Sequence, residues 1–348
     1  MQFGLYAPVP HVSVGSPEIL KSVAGGMSPL ADGVLDPAWE LAKSVLLEAD
    51  ATGYDIILFA ERHLGADMEA WVLGSAISSL TKRIRSMIAV HPGLWHPQLI
   101  AKMFASLDRL TKGRVAMNLI TGWNVEEHTM FGGDTMLHND DRYIRAEEFM
   151  EVLQGMWRQS PYSYKGRFYN VDNAQLLLRP ARPIDIFAAS RSPRGLDMIA
   201  KVADWWFVDY DKEATNTEEV MQSLQRAMDN VRTRAEKLGR TVHFAYNPFV
   251  CFGDNDEDAR KRAENLVRTD GDDADTRKML NRIGPSMKSG CVGHPDKVRA
   301  QVERFRDMGI ELLLFKFVPN VAETRAIAEE IIAPWRAKHG GSTKQAAE

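Results

Sequence analysis

Short apolar runs, each followed by a stretch of helical period, set the frame of this 348-residue chain. The runs are Phe3 to Pro8, Asp55 to Ala60, Ile84 to Val90, Arg114 to Thr121, Ile184 to Ala189, Trp205 to Val208, His243 to Phe252 and Ile310 to Val318. Most are apolar along their whole length, as strands covered on both faces must be. Between them Trp39–Ala51, Met68–Leu80, Gln98–Leu110, Arg145–Trp157, Pro193–Val202 and Glu218–Leu238 repeat apolar residues at helical spacing, with Gly53 a natural C-cap. Asp256–Arg268, Pro295–Met308 and Val321–Lys338 do the same further on. A strand–helix unit repeated eight times predicts an α/β fold, a single (β/α)8 barrel with insertions over residues 1–340. A doubly wound open sheet would carry a Gly-rich turn after its first strand, and neither GxGxxG nor GxxxxGK[ST] occurs.

Four segments break the alternation. His11 to Pro37 is a long loop rich in Gly, Ser and Pro, and loops of that length are usually functional or disordered. Residues 162–180 read as an inserted hairpin turning at Lys165-Gly166. Residues 270–290 are charged and without period, which predicts a mobile lid. Residues 341–348 are a polar, disordered tail.

Composition narrows the function. A net charge of −4, with acids and bases interspersed, argues against nucleic acid as a partner. No apolar run reaches the roughly 18 residues of a membrane span. The start, Met1-Gln-Phe-Gly-Leu-Tyr, has no basic export region, so the chain reads as cytoplasmic. With only Cys251 and Cys291, a disulfide scaffold and a CxxC metal site are excluded.

Barrel chemistry sits on loops at the C-terminal strand ends. Those positions hold His11; Glu61, Arg62 and His63; His91, Trp95 and His96; and Asn118, Thr121, Gly122, Trp123 and Glu127. Later strands add Ser190, Arg191 and Ser192, then Asp209 and Tyr210, then Asn247 and Phe249, then Lys316. The histidines stand singly, so no metal is expected. Facing carboxylates for glycoside cleavage reduce to Glu61 and Glu127, and a Schiff-base lysine to Lys316. Asn118 interrupts an apolar strand, where an unbonded carboxamide costs on the order of 1–3 kcal/mol. It is either a satisfied core amide or a ligand contact. Ser190-Arg191-Ser192-Pro193-Arg194-Gly195 is the best anion site: a helix N-terminus with hydroxyls and charge beside it. Together with Asn118 and the tryptophans, it points to a phosphate carried on a flat aromatic cofactor, of which flavin mononucleotide is an example.

The runs Asn118-Leu-Ile-Thr-Gly-Trp123, His138-Asn-Asp-Asp-Arg-Tyr143 with Glu147-Glu-Phe149, and Lys165-Gly-Arg-Phe-Tyr169 resemble the bacterial luciferase-like flavin monooxygenases. Trp157, the Ser192 turn and Ala203-Asp-Trp-Trp206 belong to the same resemblance. Within that group the chain looks most like the two-component dimethylsulfone monooxygenases, near the pyrimidine oxygenases and alkanesulfonate monooxygenases. The resemblance implies FMN, taken as FMNH2 from a separate NAD(P)H-dependent FMN reductase. It implies reaction with O2 to a flavin peroxide and oxygenation of a small substrate, an organosulfur compound such as a sulfone. It also implies a homodimer or homotetramer.

Residue by residue, the resemblance places Asn118 at the reactive edge of the flavin and Thr121, Gly122, Glu127 and Tyr143 around it. Ser190, Arg191 and Ser192 take the phosphate. His63 and His11 are the candidates for handling substrate or protons, and Trp95 and Trp123 for pocket walls. The family's phosphate turn usually reads Gly-Gly-Ser-Ser, and here it is Ala189-Ser190-Arg191-Ser192. Asn247 and Phe249 stand where alkanesulfonate enzymes carry Arg and His, which disfavours a sulfonate. Ala89, on the cofactor side, replaces the Thr of pyrimidine oxygenases, which disfavours uracil. A pyrimidine-like oxygenase, a deazaflavin (F420) dehydrogenase and a non-catalytic flavin-binding barrel are the other readings.

Overall fold

The computed structural model describes residues 1–9, 32–64, 67–122, 124–132, 140–267 and 287–340. Eight parallel strands close into a barrel: β1 (Gln2–Tyr6), β2 (Ile56–Phe59), β3 (Arg85–Val90), β4 (Val115–Leu119), β5 (Asp185–Ala188), β6 (Trp205–Phe207), β7 (His243–Tyr246) and β8 (Leu312–Phe315). Each pairs with its neighbours in sequence, and β8 pairs with β1. Helices follow every strand, so the outer strand faces meet helices and the inner faces meet one another. The tryptophan-containing segment at 123, His11, His138, residues 270–286 of the expected lid and the tail 341–348 lie outside the described residues.

Side chains alternate across a strand, so parity decides which residues line the axis. Ile56, Leu58, Met87, Ala116, Phe187, Trp205, Phe207, Ala245, Leu312 and Leu314 form the inner core, with Phe187 stacked on Trp205 at 5.2 Å. Two residues further along β2, β3 and β4, the same parity puts Ala60, Ala89 and Asn118 on the axis at the C-terminal mouth. Two small side chains therefore flank the carboxamide. Ala89 and Asn118 are register partners on neighbouring strands.

Two elements differ from the sequence expectation. The strand expected over His243–Phe252 stops at Tyr246; Cys251–Phe252 instead pairs with Val292–Gly293 in a separate two-stranded sheet. Pro248 offers no N–H to a ladder, and past it only an isolated bridge, Phe249 with Lys316, continues the pairing to β8. The last helix is unbroken in sequence from Val321 to His339 but takes a π-type turn at Ala328–Ile332, ahead of Pro334. Proline cannot donate to the carbonyl four residues back; that carbonyl, Glu330 O, accepts from Arg299 Nη1 at 2.9 Å instead. The hairpin forms as expected, Tyr162–Lys165 pairing antiparallel with Asn170–Ala174. No helix among the described residues is long and apolar enough to cross a membrane.

Candidate active site

The loop after β5 builds a compact hydroxyl cluster. Ser192 caps the helix Pro193–Val202, its Oγ accepting from Gly195 N at 3.1 Å. The same hydroxyl donates to the Tyr143 phenol oxygen at 2.8 Å, and Ser190 Oγ lies 3.2 Å from that oxygen. Arg142 donates to it as well, at 2.8 Å, and also to Gly122 O at 3.0 Å. Burial alone would raise the Tyr143 pKa, but the bonds from Ser190 and Ser192 and the Arg142 charge bring it below the usual phenol value. Trp206 Nε1 donates to Ser190 O at 3.2 Å, fixing the turn from behind.

Gly195 is what lets these groups approach. A Cβ there would stand 1.9 Å from Ser190 Oγ, so any larger residue closes the space. Gly122 has a different reason. Its φ of +86° is a left-handed conformation, and a Cβ would meet His128 Nε2 at 2.6 Å.

Across the mouth, Asn118 is buried and its Oδ1 has no hydrogen-bond partner among the described residues. Thr121 is buried in the loop that follows and Glu127 in the short helix Val125–Met130, with Glu127 Oε1 3.6 Å from Arg62 Nε. His63 is nearly buried, its ring edge-on to His91 at 5.4 Å and to Phe131 at 5.1 Å. Trp95 turns back to bridge Pro92 and packs half-buried against the core. Asn247 donates to Tyr6 OH at 3.0 Å, and Lys316 Nζ lies 5.5 Å from the Tyr6 ring centre.

Not every expected residue joins. Phe249 is buried in a satellite cluster with Cys251, Ala259, Ala263 and Val292, away from the inner core. The chain stays paired to the end of β8 there, Lys316 N donating to Pro248 O at 2.9 Å and Val250 N to Lys316 O at 2.8 Å, while the Phe249 side chain packs into that outer cluster. Arg191 is exposed and faces Asp209 at 3.4 Å, and Arg194 pairs with Glu147 at 2.5 Å, so neither guanidinium enters the serine cluster. In the other direction, Arg142 and Tyr6 were given no site role from the sequence, and Glu61 and Gly195 were named there without a flavin-binding one. Arg142 had a signal, its place just before Tyr143 in the quoted motif. Gly195 had another, its position three residues after a Ser-Pro cap. Among the described residues, no group of three or more His, Cys, Asp or Glu could hold a metal.

Known proteins resemble this chain in sequence and in fold. The chain is 27% identical over 313 residues to an FMNH2-dependent dimethylsulfone monooxygenase of Pseudomonas fluorescens (strain Pf0-1), covering 82% of this chain and 84% of that one. It is 28% identical over 315 residues to the enzyme of the same name from Pseudomonas putida, with the same coverage of 82% and 84%. The solved EDTA monooxygenase of Chelativorans sp. BNC1 superposes with a TM-score of 0.76 at 15% identity, covering 97% of this chain and 94% of that one. That likeness concerns the fold. The sequence model of the luciferase-like monooxygenases matches residues 1–312, and the chain belongs to that family.

Proposed function

We propose that this chain is the oxygenase of a two-component system, using reduced FMN and O2 to oxygenate a small organosulfur compound such as a sulfone. The class of enzyme and the reduced flavin are those of the relatives that match over most of the chain, named FMNH2-dependent monooxygenases. The observation that carries the reading is the buried Asn118 Oδ1, without a partner among the described residues, at the mouth of an otherwise apolar barrel. A buried acceptor left open costs about 1–3 kcal/mol, a cost that a ring N–H of a bound flavin offsets. The hydroxyl cluster at Ser190, Ser192 and Tyr143, with Arg142 and a helix N-terminus, has the donors and charge a phosphate needs. The residues present fit FMN at both of its ends.

Each residue then has a task. Ser190 and Ser192 give hydroxyl donors to the phosphate, the Arg191 backbone N–H adds another, and Tyr143 and Arg142 hold the serines in place. Asn118 orients the ring edge, with Ala89 beside it leaving room for a small gas molecule. Thr121 and Gly122 let the backbone lie against the ring, while Glu127 is held by Arg62. Bound FMN supplies the reducing electrons for oxygen activation. His63 handles a proton at the β2 side, and Trp95 and Asn247 wall the substrate space. His11 and Trp123 keep their proposed roles on the resemblance alone. A separate NAD(P)H-dependent reductase delivers the reduced flavin, consistent with the absence of a dinucleotide-binding turn in this sequence.

The test is oxygen incorporation. The chain is mixed with an FMN reductase, NADH and isotopically labelled O2, and a panel of sulfones, sulfoxides, sulfonates and pyrimidines is screened by mass spectrometry. A labelled product from a sulfone supports the reading. Labelled product only from a pyrimidine, or none from any sulfur compound, contradicts the substrate assignment.

A further inference from the structure

The end of β2 holds two carboxyl groups that binding of a flavin does not use. Glu61 is buried, its side chain 4% exposed, and its Oε2 accepts the Ala70 N–H at 2.8 Å. Glu69 caps the helix Ala70–Leu80, accepting the Val72 N–H at 2.8 Å, so the two carboxyls sit on the first turn of one helix, and Glu69 Oε1 is buried without a partner among the described residues. Ionised carboxylates only accept. Two of them facing each other out of water hold together when one carries a proton.

The neighbouring ring completes the arrangement. His63 is nine-tenths buried, with Nδ1 3.7 Å from Glu61 Oε1. Its Nε2 is buried without a partner among the described residues. Burial lowers the His63 pKa, against the Glu69 charge, so the ring is neutral at neutral pH. The other ionisable groups around the pair are Asp67 ahead of the helix, His91 after β3, and the Arg62–Glu127 pair.

We propose that Glu61 and Glu69 share one proton, and that this makes Glu61 the positioning residue for His63. The Glu61 O–H holds Nδ1 as an acceptor and leaves Nε2–H as the donor offered to the site. The separation of 3.7 Å is about half an ångström beyond a hydrogen bond, and such catalytic contacts commonly tighten with substrate in place. When Nε2 gives its proton to an oxygen at the mouth, the Glu61 proton moves to Nδ1. Both carboxyls are then ionised until solvent returns one proton. Burial, opposed by the Ala70 N–H and reinforced by Glu69 and Asp67, lifts Glu61 to about 8, so the shared proton is present at neutral pH. Use of this donor in oxygenation rests on the functional reading above; the tautomer itself does not.

The test is histidine-selective nitrogen NMR on the flavin-free full chain, titrated through the neutral and alkaline range. His63 is expected as the Nε2–H tautomer at neutral pH, crossing to Nδ1–H as the pH passes about 8. In Glu61→Gln the amide donates to Nδ1 at every pH, so the crossing disappears and Nε2–H persists. In Glu69→Gln one like charge is gone, so the crossing moves to lower pH. An Nδ1–H tautomer at neutral pH, or a crossing that survives in Glu61→Gln, overturns the proposal. Anaerobic reduced-FMN binding by the same samples is a separate readout: its absence contradicts the functional reading and leaves the tautomer result standing.

Discussion

The two ends of this barrel are built from the same polar residue types and treat them in opposite ways. At the N-terminal end the charged groups are matched, although Gln2 Oε1 is not. Asp50 takes the backbone N–H groups of Lys82, Arg83 and Ile84 at 3.0, 2.8 and 2.7 Å. Arg114 donates to Ser78 O, Thr81 O and Ile84 O at 3.0, 3.0 and 2.8 Å. Asp55 and Asp204 likewise bind the N–H groups of Phe3 and Ile186, at 2.8 and 3.0 Å. At the C-terminal end, Asn118 Oδ1, His63 Nε2 and Asn247 Oδ1 are buried without partners among the described residues. Saturated polar groups hold a fold together, and unsaturated ones hold capacity for something else. The first end stabilises the barrel. The second is where, on the proposed function, it meets its ligand.

The largest expected contrast is in pH dependence. Burial raises Glu61 from 4.5 to about 8, so between those values the folded chain keeps a proton that the unfolded chain releases. Stability from this group is therefore full below about 4.5 and falls as pH rises through about 8, by up to about 1.4 kcal/mol per pH unit. Asp50 behaves in the other sense. Burial opposes its ionisation, but the N–H groups of Ile84, Lys82 and Arg83 outweigh it and lower its pKa below 3.8. Its contribution is present above that value and is lost as pH falls through the folded pKa. Denaturant melts across pH are expected to lose the decline between about 4.5 and 8 in Glu61→Gln and to keep the decline at more acid pH. The same curve for both proteins would erase the distinction between the two ends.

Asn118→Leu comes next. Removing a polar contact to reacting groups typically costs about 10²–10³-fold in turnover. Here the melting temperature is expected to hold or rise, because a buried atom without a protein partner is removed. Unchanged turnover in steady-state assays would return Asn118 to the status of a core amide. Asp50→Ala gives the mirror image, a loss of about 2–3 kcal/mol in stability as three N–H groups lose a charged acceptor. The kcat of the protein that remains folded is expected to be unchanged, and a matching fall in kcat would mean that the two ends are coupled.

The contrast also explains what could be read from the chain alone. The strands were legible because full burial on both faces leaves unbroken apolar runs, and Asn118 stood out because it breaks one. Ser192 was legible because a capping residue followed by proline is a local signal. The packing of Phe249 with Cys251 and Ala259 was not legible, because it depends on a helix that returns from further along the chain. Arg191 and Arg194 read as phosphate ligands because nothing local reveals Asp209 and Glu147 as their partners. The approach of Glu61 to the first turn of the helix at Ala70 was not legible, because it depends on how the connecting segment folds back and on burial that no single stretch shows.

The central claim is that the open end of the barrel is a site for reduced FMN, and an anaerobic titration with oxidised and reduced FMN tests it directly. The account predicts tighter binding of the reduced form, weakened about tenfold in Ser192→Ala through loss of one charge-assisted hydrogen bond. Equal affinity for both forms, unaffected by Ser192→Ala, would contradict it and favour a deazaflavin enzyme or a binding barrel of the same fold.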